Sequence, residues 1–382
     1  MNLTARLARR VTTITVLATA AGLAAALPAT AAPAVPAKAS APAKFKAASL
    51  NWLSASQGWL LGAAPCDKKT CTDVLVTSDG GTSWSLAGSI DAPLATNATP
   101  PDVGVNEIKP VTASVGWAYG PALFRTADGG KSWTSEPVPG HGHQVLALAH
   151  SASAVYAVVS PCREFAQHCA SKQLTLWRTA SLTGKSWTRL PAGLPINDTA
   201  SLSAYGKTVY VVDPGLPGHL LASTDGRHFD ARRSPCEVSQ EVGLVQAVPT
   251  SASHVDLLCA GNPGFSKATK TVYRSADTGK TTTSAGTTGV YGIEAELAAS
   301  TSGNLLVGAW SDGTFMYLND THKTTWSMPL GLGDGGAGWN DLAFTSSKEA
   351  WAVYGPVSSF SANLGQLYVT RDGGQHWKLV RI

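Results

Sequence analysis

Charged residues are scarce in this chain, and it has few long hydrophobic runs. Asp, Glu, Lys and Arg make up 14% of the 382 residues, against about a quarter in an average soluble domain. The apolar share of 44%, together with the low net charge, excludes a chain that is disordered over most of its length. After residue 30 no apolar run reaches the roughly 20 residues that a membrane-spanning helix needs, which excludes a polytopic membrane protein.

Basic residues are also too few for a nucleic-acid surface. The sequence has 29 Lys and Arg against 25 Asp and Glu. Arg6, Arg9 and Arg10 belong to an N-terminal segment that we expect to be removed, so the remaining chain is close to neutral. A nucleic-acid-binding domain carries a basic patch or stripe. We therefore expect no nucleic-acid partner.

The usual motifs of metal, phosphate and nucleophile sites are missing as well. The sequence contains no CxxC pair and no DxDxDG series, the patterns typical of zinc and calcium sites. It has neither a glycine-rich phosphate loop nor a nucleophile elbow. We expect no metal, no cofactor and no catalytic residue of these classes.

The N-terminal residues 1–31 have the three parts of a secretory signal peptide. Three arginines precede an apolar stretch from Val11 to Leu27, and Ala29-Thr30-Ala31 fits a small-x-small cleavage site. An N-terminal membrane anchor is the alternative, which Pro28 and the following small residues disfavour. Residues 32–44 form a Pro/Ala-rich spacer. The sequence thus predicts a secreted, extracellular monomer, free or associated with the cell wall, without membrane insertion.

All six cysteines follow the predicted signal peptide. Export supplies an oxidising compartment, in which cysteines form disulfides. Six cysteines allow 15 pairings, and short spacing favours local ones because short loops cost little entropy to close. The predicted pairs are Cys66–Cys71, Cys162–Cys169 and Cys236–Cys259.

One short motif recurs along the chain with the pattern S/T-x-D-x-G-x-x-W. Three copies are complete and have their Asp and Trp at Asp79 and Trp84, Asp128 and Trp133, and Asp372 and Trp377. Degenerate copies contain Asp225 and Asp277, and two further copies with one extra residue begin near Ser181 and Asp320. The seven anchors are spaced by about 49 residues on average, within the range of propeller blades.

Each repeat contains four short β-rich runs separated by turn residues, the pattern of a four-stranded antiparallel meander. The sequence therefore predicts an all-β fold: residues 45–382 form a single seven-bladed β-propeller with four-stranded antiparallel blades and Asp-box hairpins. Within the motif we interpret the Asp as a hairpin hydrogen-bond acceptor, the glycines as turn residues and the Trp as an apolar cover. Seven copies cannot all be catalysts, so the motif is structural.

The motif resembles the Asp-box, also called the bacterial neuraminidase (BNR) repeat. It is found in sialidases, tandem-propeller endoglucanases, the sortilin family and photosystem-II assembly factors, and the resemblance spans residues 45–382. It implies a sialidase-like propeller whose boxes lie on the periphery, away from the ligand face. These families share hairpins rather than chemistry, so the resemblance implies a fold and no particular activity.

A candidate ligand site follows from the predicted first strands of the blades, whose starts would surround the channel mouth. Six of these starts carry amide or carboxylate side chains, which could bind a ligand or merely cap strand ends. The candidates are Asn106, Glu107, Gln144, Asn197, Asp198, Gln240, Glu241, Glu294, Asn340 and Asp341.

Two hydrolase interpretations can be compared with this ring of side chains. A sialidase binds its substrate carboxylate with converging arginines, and the predicted strand starts contain none. An endoglucanase of the inverting type uses two carboxyl groups roughly 6.5–9.5 Å apart, a role open to Asp198 and Asp341. The acidic groups are dispersed, so the sequence favours a non-catalytic protein that binds a glycan or protein partner. A secreted glycoside hydrolase is the alternative.

Overall fold

The computed structural model describes most of the chain from residue 39 onwards. The described residues are 39–67, 69–95, 103–162, 173–195, 199–214, 218–236, 242–261, 270–288, 293–310, 312–318, 324–327, 339–355 and 365–382. Within these ranges, no helix has the length and apolar character required to span a bilayer.

The described residues form seven four-stranded antiparallel sheets, each built from four consecutive strands. The first three sheets contain β1 (Lys46–Trp52), β2 (Gly58–Cys66), β3 (Lys69–Thr77) and β4 (Ser85–Ile90); β5 (Glu107–Pro110), β6 (Gly116–Tyr119), β7 (Leu123–Thr126) and β8 (Thr134–Glu136); and β9 (Gln144–His150), β10 (Val155–Ser160), β11 (Leu174–Thr179) and β12 (Trp187–Leu194). The fourth and fifth contain β13 (Ser201–Tyr205), β14 (Thr208–Asp213), β15 (His219–Ser223) and β16 (Asp230–Arg232); and β17 (Val242–Pro249), β18 (Val255–Gly261), β19 (Lys270–Ser275) and β20 (Thr283–Thr288). The last two contain β21 (Ile293–Ala299), β22 (Leu305–Trp310), β23 (Asp312–Leu318) and β24 (Thr324–Ser327); and β25 (Trp339–Phe344), β26 (Ala350–Tyr354), β27 (Gln366–Thr370) and β28 (Trp377–Val380).

The second strand of a sheet is its most apolar one. Every residue of β10 and β14 is buried, which requires apolar side chains on both faces of the sheet. The fourth strands are more exposed by comparison, and β8 exposes two of its three residues. The sequence pattern thus places second strands inside the molecule and fourth strands at its outer edge.

Among the described residues, seven apolar clusters hold the sheets together. Each one joins two sheets that are neighbours in sequence or, in one case, the last sheet and the first. Leu148 and Trp117, for example, share the cluster between the second and third sheets. Trp351 of the seventh sheet packs with Leu50 of the first. Because the series of clusters returns to the first sheet, the sheets form a closed β-propeller arrangement.

Among the described strands, none is exchanged between the first and last sheets, which close the ring. Trp351 lies against Trp52 and Trp84, with ring centroids 5.2 and 6.3 Å apart. The Ala47 amide donates to the Gly365 carbonyl at 2.8 Å. Side-chain packing and a few hydrogen bonds therefore close the ring in place of a shared strand.

The predicted fold, a single seven-bladed β-propeller with four-stranded antiparallel blades and Asp-box hairpins, is wrong: the described inner strands do not form a regular seven-membered ring. In the third sheet the turn at Ser181 has no carboxylate, and the Thr179 hydroxyl instead donates to the Ser181 carbonyl at 2.8 Å. The inner strands are the main contact at six of the junctions, whereas β6 rather than β5 makes the main contact with β9. The connection before β9 also contains a 3-10 turn, Pro139–His141. The repeats have diverged, and only the common strand order is regular.

The chain before the first strand lies along the outer edge of the first sheet. Ser40 forms an antiparallel bridge with Ser85, and the Leu86 amide donates to the Ala39 carbonyl at 3.0 Å. These residues belong to the predicted spacer 32–44. They cover part of an edge strand whose backbone groups would otherwise face solvent.

Candidate functional site

Five described turns, here called the Asp-Gly turns although Thr278 separates Asp277 from its glycine, show corresponding hydrogen bonds at Asp79, Asp128, Asp225, Asp277 and Asp372. In the first, the Thr77 hydroxyl donates to Asp79 at 2.7 Å, and the Ser83 amide and hydroxyl donate to its two oxygens at 3.0 and 2.5 Å. These bonds, the Ser83 hydroxyl first, lower the pKa of Asp79 to about 2. The carboxylate is fully engaged in its own turn.

The Trp of a complete motif closes its turn from the other side. The indole of Trp133 donates to the Gly130 carbonyl at 3.0 Å, and that of Trp377 donates to the Gly374 carbonyl at 3.1 Å. Trp84 packs in the cluster between the first and last sheets instead. These motif residues serve local structure, and the described part of the chain holds no cluster of His, Cys, Asp and Glu suited to a metal ion.

Two of the three predicted disulfides are confirmed. Cys66–Cys71 closes the β2–β3 hairpin, with Cα atoms 5.8 Å apart, and Cys236–Cys259 ties the segment before β17 to β18, at 5.6 Å. Cys169, a member of the third predicted pair, lies outside the described residues.

The strand register places both disulfides at one edge of the ring. In antiparallel sheets the start of a first strand lies opposite the end of the second, as Glu107 opposite Tyr119 and Gln144 opposite Ser160 show. We call this edge the channel face. It holds the first-strand starts, the β2–β3 hairpin and the Cys236–Cys259 bridge.

The predicted ring of site residues is described only in part. Glu107 and Gln144 begin β5 and β9, as expected, and Asn106 directly precedes β5. Asp341 lies in β25. Glu294 and Asn340 are strand residues whose side chains are outside the description, and Asn197, Asp198, Gln240 and Glu241 lie outside the described residues altogether.

The inner strands are joined by side chains that accept backbone N–H groups from the next sheet. The Leu297 amide donates to Gln246 at 2.7 Å, and the Leu342 amide donates to Glu296 at 3.2 Å. We call the four residues Ser49, Gln246, Glu296 and Asp341 the braces. The first strand is the inner edge of its sheet, so these N–H groups have no ladder partner and the braces satisfy them.

The series continues across the closure of the ring. The Leu50 amide donates to Asp341 Oδ2 at 2.7 Å, and the Ile108 amide donates to Ser49 Oγ at 3.2 Å. The Ser49 hydroxyl in turn donates to Glu107 Oε2 at 2.9 Å. The structure therefore brings together Glu107 and Asp341, two of the predicted site residues that are far apart in sequence.

Three braces, Ser49, Gln246 and Glu296, were missed by the sequence reasoning. Each lies between two apolar residues of its strand, as in Ala48-Ser49-Leu50 and Ala295-Glu296-Leu297. A polar residue directly before the same aliphatic position in several first strands is the signal that could have identified them.

The environment of Glu107 and Asp341 favours their neutral forms. Burial, followed by the Asp341 charge, raises the pKa of Glu107 well above its ordinary value, despite the Ser49 bond. Burial raises the pKa of Asp341 to about 6, against the Leu50 amide, which favours the carboxylate. Burial also lowers the pKa of Lys109, which both carboxylates oppose.

Asp341 has an unusual backbone as well. Its φ of 51° lies in the left-handed region that non-glycine residues seldom adopt. The register between β25 and β26 shifts between Asn340 and Ala343, so Asp341 lies in a β-bulge that redirects its side chain. Chemically, the arrangement offers two carboxyl groups that retain a proton to higher pH than ordinary carboxyl groups do.

No family model matches the sequence, and no curated protein matches it either. Among solved structures, one described as YCF48 bound to D1 peptide matches with a TM-score of 0.54 and 14% identity, over 86% of this chain and 93% of that chain. Streptogramin B lyase matches with a TM-score of 0.51 and 8% identity, over 90% and 96%. Virginiamycin B lyase from Staphylococcus aureus matches with a TM-score of 0.52 and 9% identity, over 81% and 92%. At these identities the similarity concerns the fold alone, and the chain has a β-propeller arrangement.

Proposed function

We propose that this chain is a secreted, non-catalytic β-propeller that recognises a glycan or protein partner at its channel face. The observation that supports this most is that Glu107 and Asp341 come together at the inner strands, next to the channel face. Disulfides hold the β2–β3 hairpin and the start of β17 at that face. Cross-linked loops lose less entropy when they bind. The similar fold of YCF48, whose structure contains a bound peptide, makes a protein partner the first choice.

The Asp-box resemblance belongs to this proposal, and so does export through the signal peptide. Both confirmed disulfides suit an oxidising compartment. The Asp-Gly turns lie at the ends of third strands, opposite the channel face along each hairpin, and their carboxylates are occupied by turn hydrogen bonds. Because these carboxylates are occupied, we assign recognition to the channel face.

A matched pair of substitutions tests the face. Gln144 at the start of β9 and Gln57 in the β1–β2 turn are both half-buried glutamines, at opposite edges of the ring. The parent would first be screened on a glycan array and an immobilised peptide library. For a probe bound by the parent, Gln144→Arg should weaken binding at least about tenfold, or about 1.4 kcal/mol, and Gln57→Arg should leave it unchanged. The opposite order would show that the wrong face was assigned.

A secreted glycoside hydrolase, of sialidase-like or endoglucanase-like type, is the second candidate. It is favoured by one observation: two carboxyl groups with raised pKa values lie on either side of Ser49. Paired carboxyl groups with unequal proton affinities are what acid–base catalysis needs. Turnover of aryl-glycosides or sialosides by the parent, abolished in Asp341→Asn while the fold persists, would establish the hydrolase and refute the non-catalytic proposal.

A further inference from the structure

The first, second and seventh sheets meet at a continuous set of hydrogen bonds. Asp341 accepts from the Leu50 amide, and Ser49 accepts from the Ile108 amide while donating to Glu107. The path runs from β25 through β1 to β5. It crosses the one junction, between the last and first sheets, that the polypeptide chain does not bridge.

In the described part of the chain, few hydrogen-bond donors reach the two carboxyl groups of Glu107 and Asp341. Ser49 is 1% exposed, and its single hydroxyl proton lies within hydrogen-bonding reach of both carboxyl groups. A hydroxyl can donate to only one of them at a time. Two carboxylates that share a site cannot both ionise without a large cost, so one proton is retained between them.

Neighbouring charges do not remove this cost. Lys109 faces the pair from β5, and it is the one cation that acts on them among the described groups. Glu296 of β21 adds a third negative charge, and Tyr119 of β6 adds a group that ionises only with difficulty here. His150 of β9 lies near Lys109, and burial, followed by the Lys109 charge, lowers the pKa of its imidazole. Full ionisation would leave more negative than positive charge around Ser49.

We infer that Ser49, Glu107 and Asp341 form a proton-dependent clasp that closes the ring between the last and first sheets. With one proton retained on the pair, the Asp341 carboxylate accepts from the Leu50 amide and Ser49 donates to Glu107. When both groups are ionised, repulsion between the two carboxylates weakens the contact of β25 with β1. The clasp involves the same two carboxyl groups that support the proposed function, but hydrogen exchange tests it in the free protein, whether or not a partner binds.

The sign of the pH effect follows from the raised pKa values. The folded protein keeps a proton that the unfolded chain releases near its ordinary carboxyl pKa of about 4. The contribution of the clasp is thus complete below about pH 4 and is lost as the pH rises through the raised pKa values of the pair, of which that of Asp341 is about 6. His150 acts in the opposite direction, because its lowered pKa makes the folded protein less stable as the pH falls through 6.5. A local measurement is therefore needed to isolate the clasp.

Residue-resolved hydrogen exchange provides that measurement. The Leu50 amide is held by the titratable Asp341, whereas the Leu297 amide is held in the same way by the neutral Gln246. Between pH 5 and pH 8, after correction for intrinsic exchange rates, protection at Leu50 should fall at least about tenfold more than protection at Leu297, as expected for one pKa unit or more. Equal changes at the two amides would overturn the proposal.

Hydrogen exchange at Leu50 in the variant Glu107→Gln is the second test. Gln keeps the shape and an acceptor for the Ser49 hydroxyl but removes the neighbouring charge, so Leu50 should remain protected at pH 8. A variant that folds and retains the full pH dependence at Leu50 would refute the role of Glu107. If the variant does not fold, the comparison of Leu50 with Leu297 in the parent still decides the proposal.

Discussion

Trp351→Ala is the substitution that tests closure of the ring most directly. Trp351 is 1% exposed and contacts Trp52 and Trp84 of the first sheet. Its indole donates to Glu349 at 3.1 Å, so the substitution also removes a hydrogen bond. Truncation of a buried Trp to Ala costs about 3–5 kcal/mol, and aromatic pairs add about 0.5–1.5 kcal/mol each. We therefore expect a loss near the upper end, about 5 kcal/mol.

Trp59→Ala is the matched control. Trp59 is the second residue of β2, as Trp351 is of β26, and it is 3% exposed. It packs between the first and second sheets, which the chain itself connects. Urea denaturation of both variants gives the free energies of unfolding, and hydrogen exchange shows where each one opens. Trp351→Ala should increase exchange in β1 and β27, which Trp59→Ala should not. A cost below about 1 kcal/mol for Trp351→Ala would refute the view that this packing closes the ring.

Three other substitutions follow from the turns and disulfides. Asp128→Ala removes the acceptor for the Thr126 hydroxyl and the Ser132 amide; by analogy with lost helix caps, urea denaturation should show a cost of about 0.5–2 kcal/mol, with binding at the channel face unchanged. Replacing both Cys236 and Cys259 by Ser opens a loop with a sequence separation of 23 and should lower the free energy of unfolding by about 3 kcal/mol. The comparison is made by denaturation under oxidising conditions, and an unchanged denaturation midpoint would mean that the disulfide adds no stability. Gly81→Ala places a methyl group 2.3 Å from the Trp351 ring at a φ of +77°, and thermal denaturation should show a loss of about 1–3 kcal/mol; the same stability as the parent would contradict this packing.

Local features of the fold could be predicted from the sequence. The Asp79 turn depends on partners at most four residues away, so the motif itself contains the information. The β2 strand begins at Gly58, as its Gly-Trp start indicated, and the two confirmed disulfides are close in sequence. The regular spacing of the repeats did not show whether all of them form the same turn. Ser181 stands where the other turns have Asp, and a serine hydroxyl cannot replace two carboxylate oxygens.

The inner-strand site was predictable only as a set of candidates. Glu107 was identified from its position at a strand start, but its partner Ser49 is 58 residues away, and Asp341 is 291 residues from the amide it accepts. Such contacts depend on how the sheets pack around the ring rather than on local pattern. The left-handed backbone of Asp341 likewise results from a bulge that no residue preference indicates.

Because none of the described strands is shared across the closure, the ring does not depend on which sheet comes first along the polypeptide. Ala41 and Phe45 pack in the same apolar cluster as Val380 and Ile382, so a short linker can join the two ends of the described chain. A circular permutant with new termini between β16 and β17 would keep all four strands of every sheet intact. Evolution by duplication, loss or rotation of whole sheets is open to such a molecule, whereas a propeller closed by a shared strand must preserve the sheet that its two ends build together.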